Sequence, residues 1–559
     1  MVNLPAPMEK RIPTVSADNF LRQLLLEQQQ LTAVGEFSSW HEQQTMDHAA
    51  HYRALLPTSS PKSGEQLAFE VDLDACSGCK ACVTACHNLN GLEEAETWRH
   101  VGMLLGISDA SRPQQYVTTA CHHCVEPGCL QGCPVQAYDK DPLTGIVRHL
   151  DDQCIGCQYC ILMCPYEVPQ YSAAKGIVRK CDMCRQRLEA GDAPACVAGC
   201  PNQAIRITIV SQQTARQRAQ TSTFLAASPD PSLTIPTTIY RSAKLQNVAD
   251  IQGELAGIVA ANDTLPHIAH PHFPLVAMLV LTQMSVGTLL LERIFFAAGA
   301  IDARASLALL IVSAATGLVG GNAAALHLGK PFGAWRAWMG LRTSWLSREI
   351  VTLGPYGGLL GLAALLALLS FTTLASCLSS LALCVGIVGV ISSAMIYVAT
   401  GRDYWNASRT FPRFLGSTLG LGLGVATVVI LASRNQPTLV ALLALASLMV
   451  ASVQAFSLNE SRRRRQQYPS RSLERTALLL RNALSDAFQM QMSAIVCGGF
   501  LGPMILLLIA TSSQESAMQQ TPVFPIAVVS AVTLLLGNLL ERMLYFQACT
   551  PAKMPGDDR

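Results

Sequence analysis

CIGCQYCILMCP, residues 154–165, sets four cysteines at C-x2-C-x2-C-x3-C and closes on a proline. CSGCKACVTAC, residues 76–86, repeats the spacing, and two variants complete the set: CHHCVEPGCLQGCP at 121–134 and CDMCRQRLEAGDAPACVAGCP at 181–201. The sixteen thiols are Cys76, Cys79, Cys82, Cys86, Cys121, Cys124, Cys129, Cys133, Cys154, Cys157, Cys160, Cys164, Cys181, Cys184, Cys196 and Cys200. A cubane [4Fe-4S] cluster takes four Cys thiolates, so four groups of four predict four cubanes.

The spacing of the first and third groups is that of bacterial ferredoxins. There the three closely spaced Cys wrap one cluster, and the fourth, often before Pro, ligates the neighbouring one. Pro134, Pro165 and Pro201 follow three of the fourth cysteines; His87 replaces the first. Zinc uses two C-x2-C pairs per ion and leaves a third Cys, three residues on, without a role. Disulfide frameworks belong to small secreted domains. The first 30 residues contain neither a basic stretch ahead of an apolar core nor a twin-arginine pair, so no secretory signal is expected.

Composition divides the rest. Of 559 residues only 14% are charged, against about 25% in ordinary soluble domains, and 40 Lys plus Arg nearly balance 38 Asp plus Glu. That excludes a disordered chain and a nucleic-acid binder carried by net basicity. Five regions separate: a polar extension at 1–66 with an amphipathic stretch from Asn19 to Leu31, the cysteine domain at 67–210, a Gln-, Ser- and Pro-rich linker at 211–270, an apolar part at 271–546, and a polar tail at 547–559. Strand-like alternation after the second and fourth groups, AYDKDPLTGIVRHLDDQC and AIRITIVS, suits ferredoxin-like units. The fold class is therefore an α+β ferredoxin-like domain of two pseudo-symmetric two-cluster units, followed by an all-α bundle of about eight transmembrane helices.

The apolar segments lie near 273–291, 305–326, 350–371, 377–400, 414–432, 438–456, 494–511 and 523–540, each long enough to cross about 30 Å of hydrocarbon. With eight spans, seventeen Lys and Arg fall on the amino-terminal side, including Arg413 and Arg542, against three opposite. The positive-inside rule then puts the cysteine domain in the cytoplasm, on the inner (cytoplasmic) membrane of the cell. Gln283 and Asn322, inside apolar segments, are expected to hydrogen-bond between helices.

Residues 70–210 resemble the four-cluster iron–sulfur subunit of the dimethyl sulfoxide reductase family of molybdopterin oxidoreductases, including the C-x2-C-x4-C and C-x2-C-x11-C variants. The third group keeps all four Cys where a related nitrate reductase subunit has a Trp. The resemblance implies that outer groups pair with outer and inner with inner. The four sets would be Cys76, Cys79, Cys82 and Cys200; Cys181, Cys184, Cys196 and Cys86; Cys121, Cys124, Cys129 and Cys164; and Cys154, Cys157, Cys160 and Cys133. It also implies that the inner pair faces the membrane and the outer pair a separate molybdopterin-containing catalytic subunit.

ALHLGKPFGAWRAWMGLRTSWLSREI, residues 325–350, is similar to the quinol-site signature of the same family's anchor subunit, and SAMIYVATGRDYWN and LLERMLYFQACTPAKMPG resemble later landmarks. That likeness ties His327 and Glu349 to oxidation of menaquinol or ubiquinol from the membrane quinone pool. Fusion of two normally separate subunits is the departure from the family. The chemistry alone points the same way, since quinol releases two protons and two electrons, and His or a buried Glu can accept protons near neutral pH. The bland reading of Glu349 is a helix start behind Ser347. Arg336, Arg342 and Arg348 could orient a quinone headgroup or serve as interfacial anchors. His327 is the only His beyond residue 272, so no two-His haem is expected. Two rival functions stand beside the quinol conduit: the same wire run backward from a dehydrogenase to quinone, and a ferredoxin-like module on a purely structural tether.

Overall fold

The computed structural model describes residues 52–106, 114–221, 224–225, 228–244, 258–261, 268–433, 437–463, 470–512 and 523–556, with five positions of the amino-terminal segment. Most of the amphipathic stretch from Asn19 to Leu31 lies outside the described residues. Leu55–Arg559 forms one compact unit.

Two three-stranded sheets and two hairpins frame the cysteine groups. β1 (Glu65–Asp72) pairs antiparallel with β8 (Ile205–Ser211), placing Phe69 opposite Ile207, and parallel with β9 (Ile239–Arg241). β2 (His100–Gly106) lies between β3 (Gln114–Thr119) and β10 (Ile258–Ala260). β4 (Tyr138–Lys140) with β5 (Val147–His149), and β6 (Gln170–Ser172) with β7 (Ile177–Arg179), form hairpins that run from one cysteine group to the next. β9 and β10 both come from residues 211–270, so this Pro- and Ser-punctuated segment supplies an edge strand to each sheet.

Among the described residues eight helices are long and apolar enough to cross a membrane: α1 (Phe273–Ala297), α2 (Ala303–Ala325), α3 (Trp345–Leu368), α4 (Thr372–Val398), α5 (Ala407–Ser433), α6 (Pro437–Asn459), α7 (Ser485–Thr511) and α8 (Val523–Gln547). Local chemistry sets their ends. The Asp302 carboxylate accepts from the Ala305 N–H at the start of α2, and the Ser344 hydroxyl accepts from the Ser347 N–H at the start of α3. α3 thus begins at Ser344, one turn before the Ser347 start considered from sequence, and Glu349 falls within it. α1 is the most buried span. Gly287 lets it reach α5, for a Cβ there would strike the Thr418 carbonyl oxygen.

The ferredoxin-like part sits on the helix ends through backbone contacts. The Gly340 N–H donates to the Pro134 carbonyl (2.9 Å), the Lys330 N–H to the Ile155 carbonyl (3.0 Å), and the Ser344 hydroxyl to the Gly132 carbonyl (2.7 Å). These acceptors belong to the second and third cysteine groups, which fixes the inner groups against the membrane helices. The polar tail returns to the same domain: Met554 is buried with Val71, Leu104 and Val117, and Gly556 packs on Gly102 so closely that neither position has room for a Cβ.

Candidate functional site

The four cysteine loops share one backbone device. The residue before each second Cys is left-handed: Gly78 (φ 74°), His123 (φ 41°), Gly156 (φ 68°) and Met183 (φ 62°). His123 and Met183 hold this conformation against a cost of about 1–2 kcal/mol each, which identifies the loop shape as what all four groups require. A second left-handed residue follows three of the fourth cysteines by three positions, at Gln136, Glu167 and Gln203. In the first group, where His87 stands in place of Pro, the helix Ala81–Asn90 runs on instead.

These turns gather thiols from distant groups. Cys76, Cys79, Cys82 and Cys200 line one cavity; Cys121, Cys124, Cys129 and Cys164 a second; Cys133, Cys154, Cys157 and Cys160 a third. Cys86 lies beside Cys184 and Cys196, and Cys181 beside Cys86 and Cys184. All sixteen thiols are free of disulfides. The fourth Cys of each group therefore crosses to its partner group, outer with outer and inner with inner.

The donor set fits iron–sulfur clusters. Burial pushes the Cys133 thiol up to about 11 and, with Cys196 and Cys184 nearby, the Cys86 thiol up to about 12. Thiols so placed keep their protons unless a metal centre supplies compensating positive charge. Backbone N–H groups already point at sulfur: Ala137 to Cys133 (3.1 Å), Ala204 to Cys200 (3.3 Å), Gly156 to Cys154 and Met183 to Cys181 (both 3.4 Å).

Below the third group opens a cavity of about 390 Å³. Cys157 and Tyr159 line its upper end; His327 after α2, Glu349 on α3, Tyr397 on α4 and Phe546 on α8 line the rest. Both acid–base candidates read from sequence thus share one chamber with a cluster thiol. Glu349 is buried and accepts a hydrogen bond from the Ser393 hydroxyl of α4. His327 sits beside the Cys157 backbone; burial first, then His270, holds its imidazole below the ordinary value, leaving it neutral at pH 7.

Sequence reasoning missed several lining residues. His270 comes from the end of the segment read as linker and His272 from the start of the apolar part; the His272 ring lies 5.2 Å from that of His327, edge to face. Arg402 also lines the cavity and is ion-paired to Glu167 at 3.1 Å. The signal for the histidines was PHIAHPH at 266–272, directly before an apolar run.

Arg336, Arg342 and Arg348 do not line the cavity. Arg336 donates to the Asp152 carbonyl (3.3 Å), whereas Arg348 stacks 4.1 Å over Trp345 and donates to the Arg342 carbonyl (2.9 Å). Gln283 does bond between helices, to Arg542 of α8 (3.2 Å), but exposed Asn322 returns to the Leu318 carbonyl of its own helix (2.8 Å). Arg413 and Arg542, counted from sequence with the loops, lie inside α5 and α8, buried with Glu541.

Residues 113–209 match the 4Fe-4S dicluster domain family, and residues 267–547 match the DMSO reductase anchor subunit family. The protein is 32% identical over 204 residues to the B subunit of the anaerobic dimethyl sulfoxide reductase of Haemophilus influenzae, covering 35% of its own length and 97% of that relative. It is 37% identical over 183 residues to the hydrogenase-2 operon protein HybA of Escherichia coli O157:H7, covering 28% and 54%. Over 158 residues it is 34% identical to the formate dehydrogenase-O iron-sulfur subunit of Escherichia coli K12, covering 25% and 52%.

Proposed function

On the premise that this chain belongs to the DMSO reductase family, as an iron–sulfur electron-transfer subunit fused to the membrane anchor, we propose that it oxidises quinol in the cavity beneath Cys157. Electrons then pass through four [4Fe-4S] clusters to a separate molybdopterin catalytic subunit. The observation that carries this reading is the shared chamber: Cys157, His327 and Glu349 line one space open to a flat, drug-sized molecule. The clusters would supply one-electron acceptors.

The chain's own residues do the rest. A quinol hydroxyl near Glu349 can pass a proton to its carboxylate, which the Ser393 hydroxyl orients. The neutral His327 imidazole can take the second. Met278, Leu346 and Phe546 shape an apolar wall that excludes water. Shared neighbours link the cages in series, Tyr138 between those of Cys157 and Cys121, Lys180 between those of Cys121 and Cys181, and Arg99 between those of Cys181 and Cys76, so clusters held there would offer successive one-electron acceptors. The basic excess on the cage side of the bundle supports a cytoplasmic location at the inner membrane.

Glu349→Gln tests the reading, because it keeps shape and the Ser393 contact while removing the proton acceptor. Cluster reduction by a quinol analogue should slow by about 10²–10⁴-fold, the typical worth of general-base catalysis, with reduction by dithionite unchanged. An unchanged quinol-driven rate would point to a structural tether. Co-purification of a molybdenum-bearing protein tests the partner. Likeness to proteins named for hydrogenase-2 and formate dehydrogenase-O favours a second reading, the same conduit carrying electrons from a dehydrogenase to quinone; measured cluster potentials against that of the quinone discriminate the two.

A further inference from the structure

We propose that Arg99 and Lys180 are fixed counter-charges lodged between successive cages, where they hold up the reduction potentials of the clusters on either side. The inference rests on the reading of the cages as [4Fe-4S] sites. Both side chains are buried, Arg99 at 2% and Lys180 at 3% exposure, and neither forms an ion pair with a carboxylate among the described residues. A buried cation without an ion-paired anion is costly, and the acidic groups that act on these two are the cage thiols first, with Asp182 behind them at Lys180.

Lys180 has a complete set of acceptors. Its ammonium donates to the Val147 carbonyl, to the Cys181 carbonyl (2.9 Å) and to the Cys121 sulfur (3.6 Å). Three donors meeting three acceptors is the pattern of a protonated amine. Cys121 belongs to the inner cage of Cys124, Cys129 and Cys164, and Cys181 to the outer cage of Cys86, Cys184 and Cys196. Lys180 therefore occupies the junction between the inner and outer pairs.

Arg99 occupies the next junction. Its Nη1 donates to the Thr118 hydroxyl (3.1 Å), which lies 3.5 Å from the Cys82 sulfur, and its guanidinium stands 4.7 Å over the Phe69 ring. Among the described residues Nε and Nη2 meet no oxygen or nitrogen acceptor, and the acidic groups acting on the guanidinium are the thiols of Cys196, Cys82, Cys181 and Cys86. Those thiols come from both outer cages. By contrast, the gap between the two inner cages holds an uncharged group, Tyr138, beside Cys160, Cys129 and Cys133.

A thiolate-ligated cluster is anionic, and each electron adds one further negative charge; no bond or proton need change as an electron hops. A fixed cation in a low-dielectric interior stabilises the reduced state more than the oxidised one and so raises the potential. Electrons leaving the cavity thus move towards buried positive charge.

The test uses the full chain in mild detergent, with iron analysis and redox titration of the clusters followed by low-temperature electron paramagnetic resonance. Iron near sixteen atoms per unmutated chain, four per cubane, checks the underlying reading separately. Arg99→Gln should lower the potentials of the two outer clusters, and Lys180→Gln those of the clusters at Cys121 and Cys181. The cluster at Cys133, Cys154, Cys157 and Cys160 should hold its potential in both, and Arg99→Lys and Lys180→Arg should stay near the unmutated values. Unchanged potentials at full iron content, a uniform shift of all clusters, or equal shifts in the charge-keeping variants would overturn the proposal. Where a neutral variant loses iron, its charge-keeping partner decides: retained iron and potentials support the inference, and iron lost there too overturns it.

Discussion

The Tyr159 hydroxyl, within the third cysteine group, donates to the Ile396 carbonyl on α4 at 3.0 Å, bridging 237 positions of sequence. It ties a cage loop to the helix that carries Ser393 and Tyr397 at the cavity wall. Tyr159→Phe should keep every cluster, since no thiol is touched, and cost about 0.5–1.5 kcal/mol for the lost hydrogen bond. Full iron content with a lower first thermal transition is the expected result; lost iron would mean that the hydroxyl shapes the cage itself.

Gly78 shows how tightly one cage is drawn. Its φ of 74° already disfavours any side chain, and a Cβ would enter the Tyr116 ring. Gly78→Ala should therefore impair the cage of Cys76, Cys79, Cys82 and Cys200, lowering iron by about a quarter, one cubane in four. Full iron in the variant would sink the argument.

The cages were legible because their information is local. Each C-x2-C loop is written in four residues, and the spacing predicts that the fourth Cys crosses to a neighbouring cluster; which groups pair came from resemblance. The strands were less so: β1 is buried on both faces and shows no alternation, while β9 and β10 have three residues each, too short for a periodic signal. His327 and Glu349 were visible through resemblance, but Arg402 and Tyr397 reach the cavity only by long-range convergence. Arg413 and Arg542 were misplaced for a simpler reason. A hydropathy window stops at a charge, whereas a helix continues through one that finds partners.

His272 makes the cavity mouth acid-sensitive. Burial first, then His327 and His270, lowers its value to about 4 from the ordinary 6.5. The fold holds the neutral ring, so its contribution to stability is complete above about pH 6.5 and is lost as pH falls through about 4. His272→Gln should match the unmutated chain in thermal stability at pH 7.5 and lose less of it by pH 4.5. Parallel losses in the two proteins would show that acid acts elsewhere.

Glu541 is the charge on which the centre of the bundle turns. Its carboxylate lies 3.8 Å from Arg413 Nε on α5 and 3.5 Å from Arg542 Nη2 on its own helix, with side chains no more than 6% exposed. Arg542 also donates to Gln283 of α1 (3.2 Å) and stacks 4.0 Å over Phe414, so one cluster joins α1, α5 and α8. Removing the carboxylate leaves two guanidiniums facing each other away from water, at a cost of about 3–5 kcal/mol, as for other broken buried pairs. Glu541→Gln should accordingly reduce accumulation in the membrane and lower thermal stability in detergent. Replacing two of the charges together by apolar residues, Glu541→Leu with Arg542→Met, should recover part of that loss, because Arg413 then loses the carboxylate without also facing a second guanidinium, and Gln283 loses only its Arg542 bond. A double variant worse than Glu541→Gln would mean that Arg542 acts chiefly through Gln283 and Phe414, as a packing pin for α1 and α5, with the ion pair secondary.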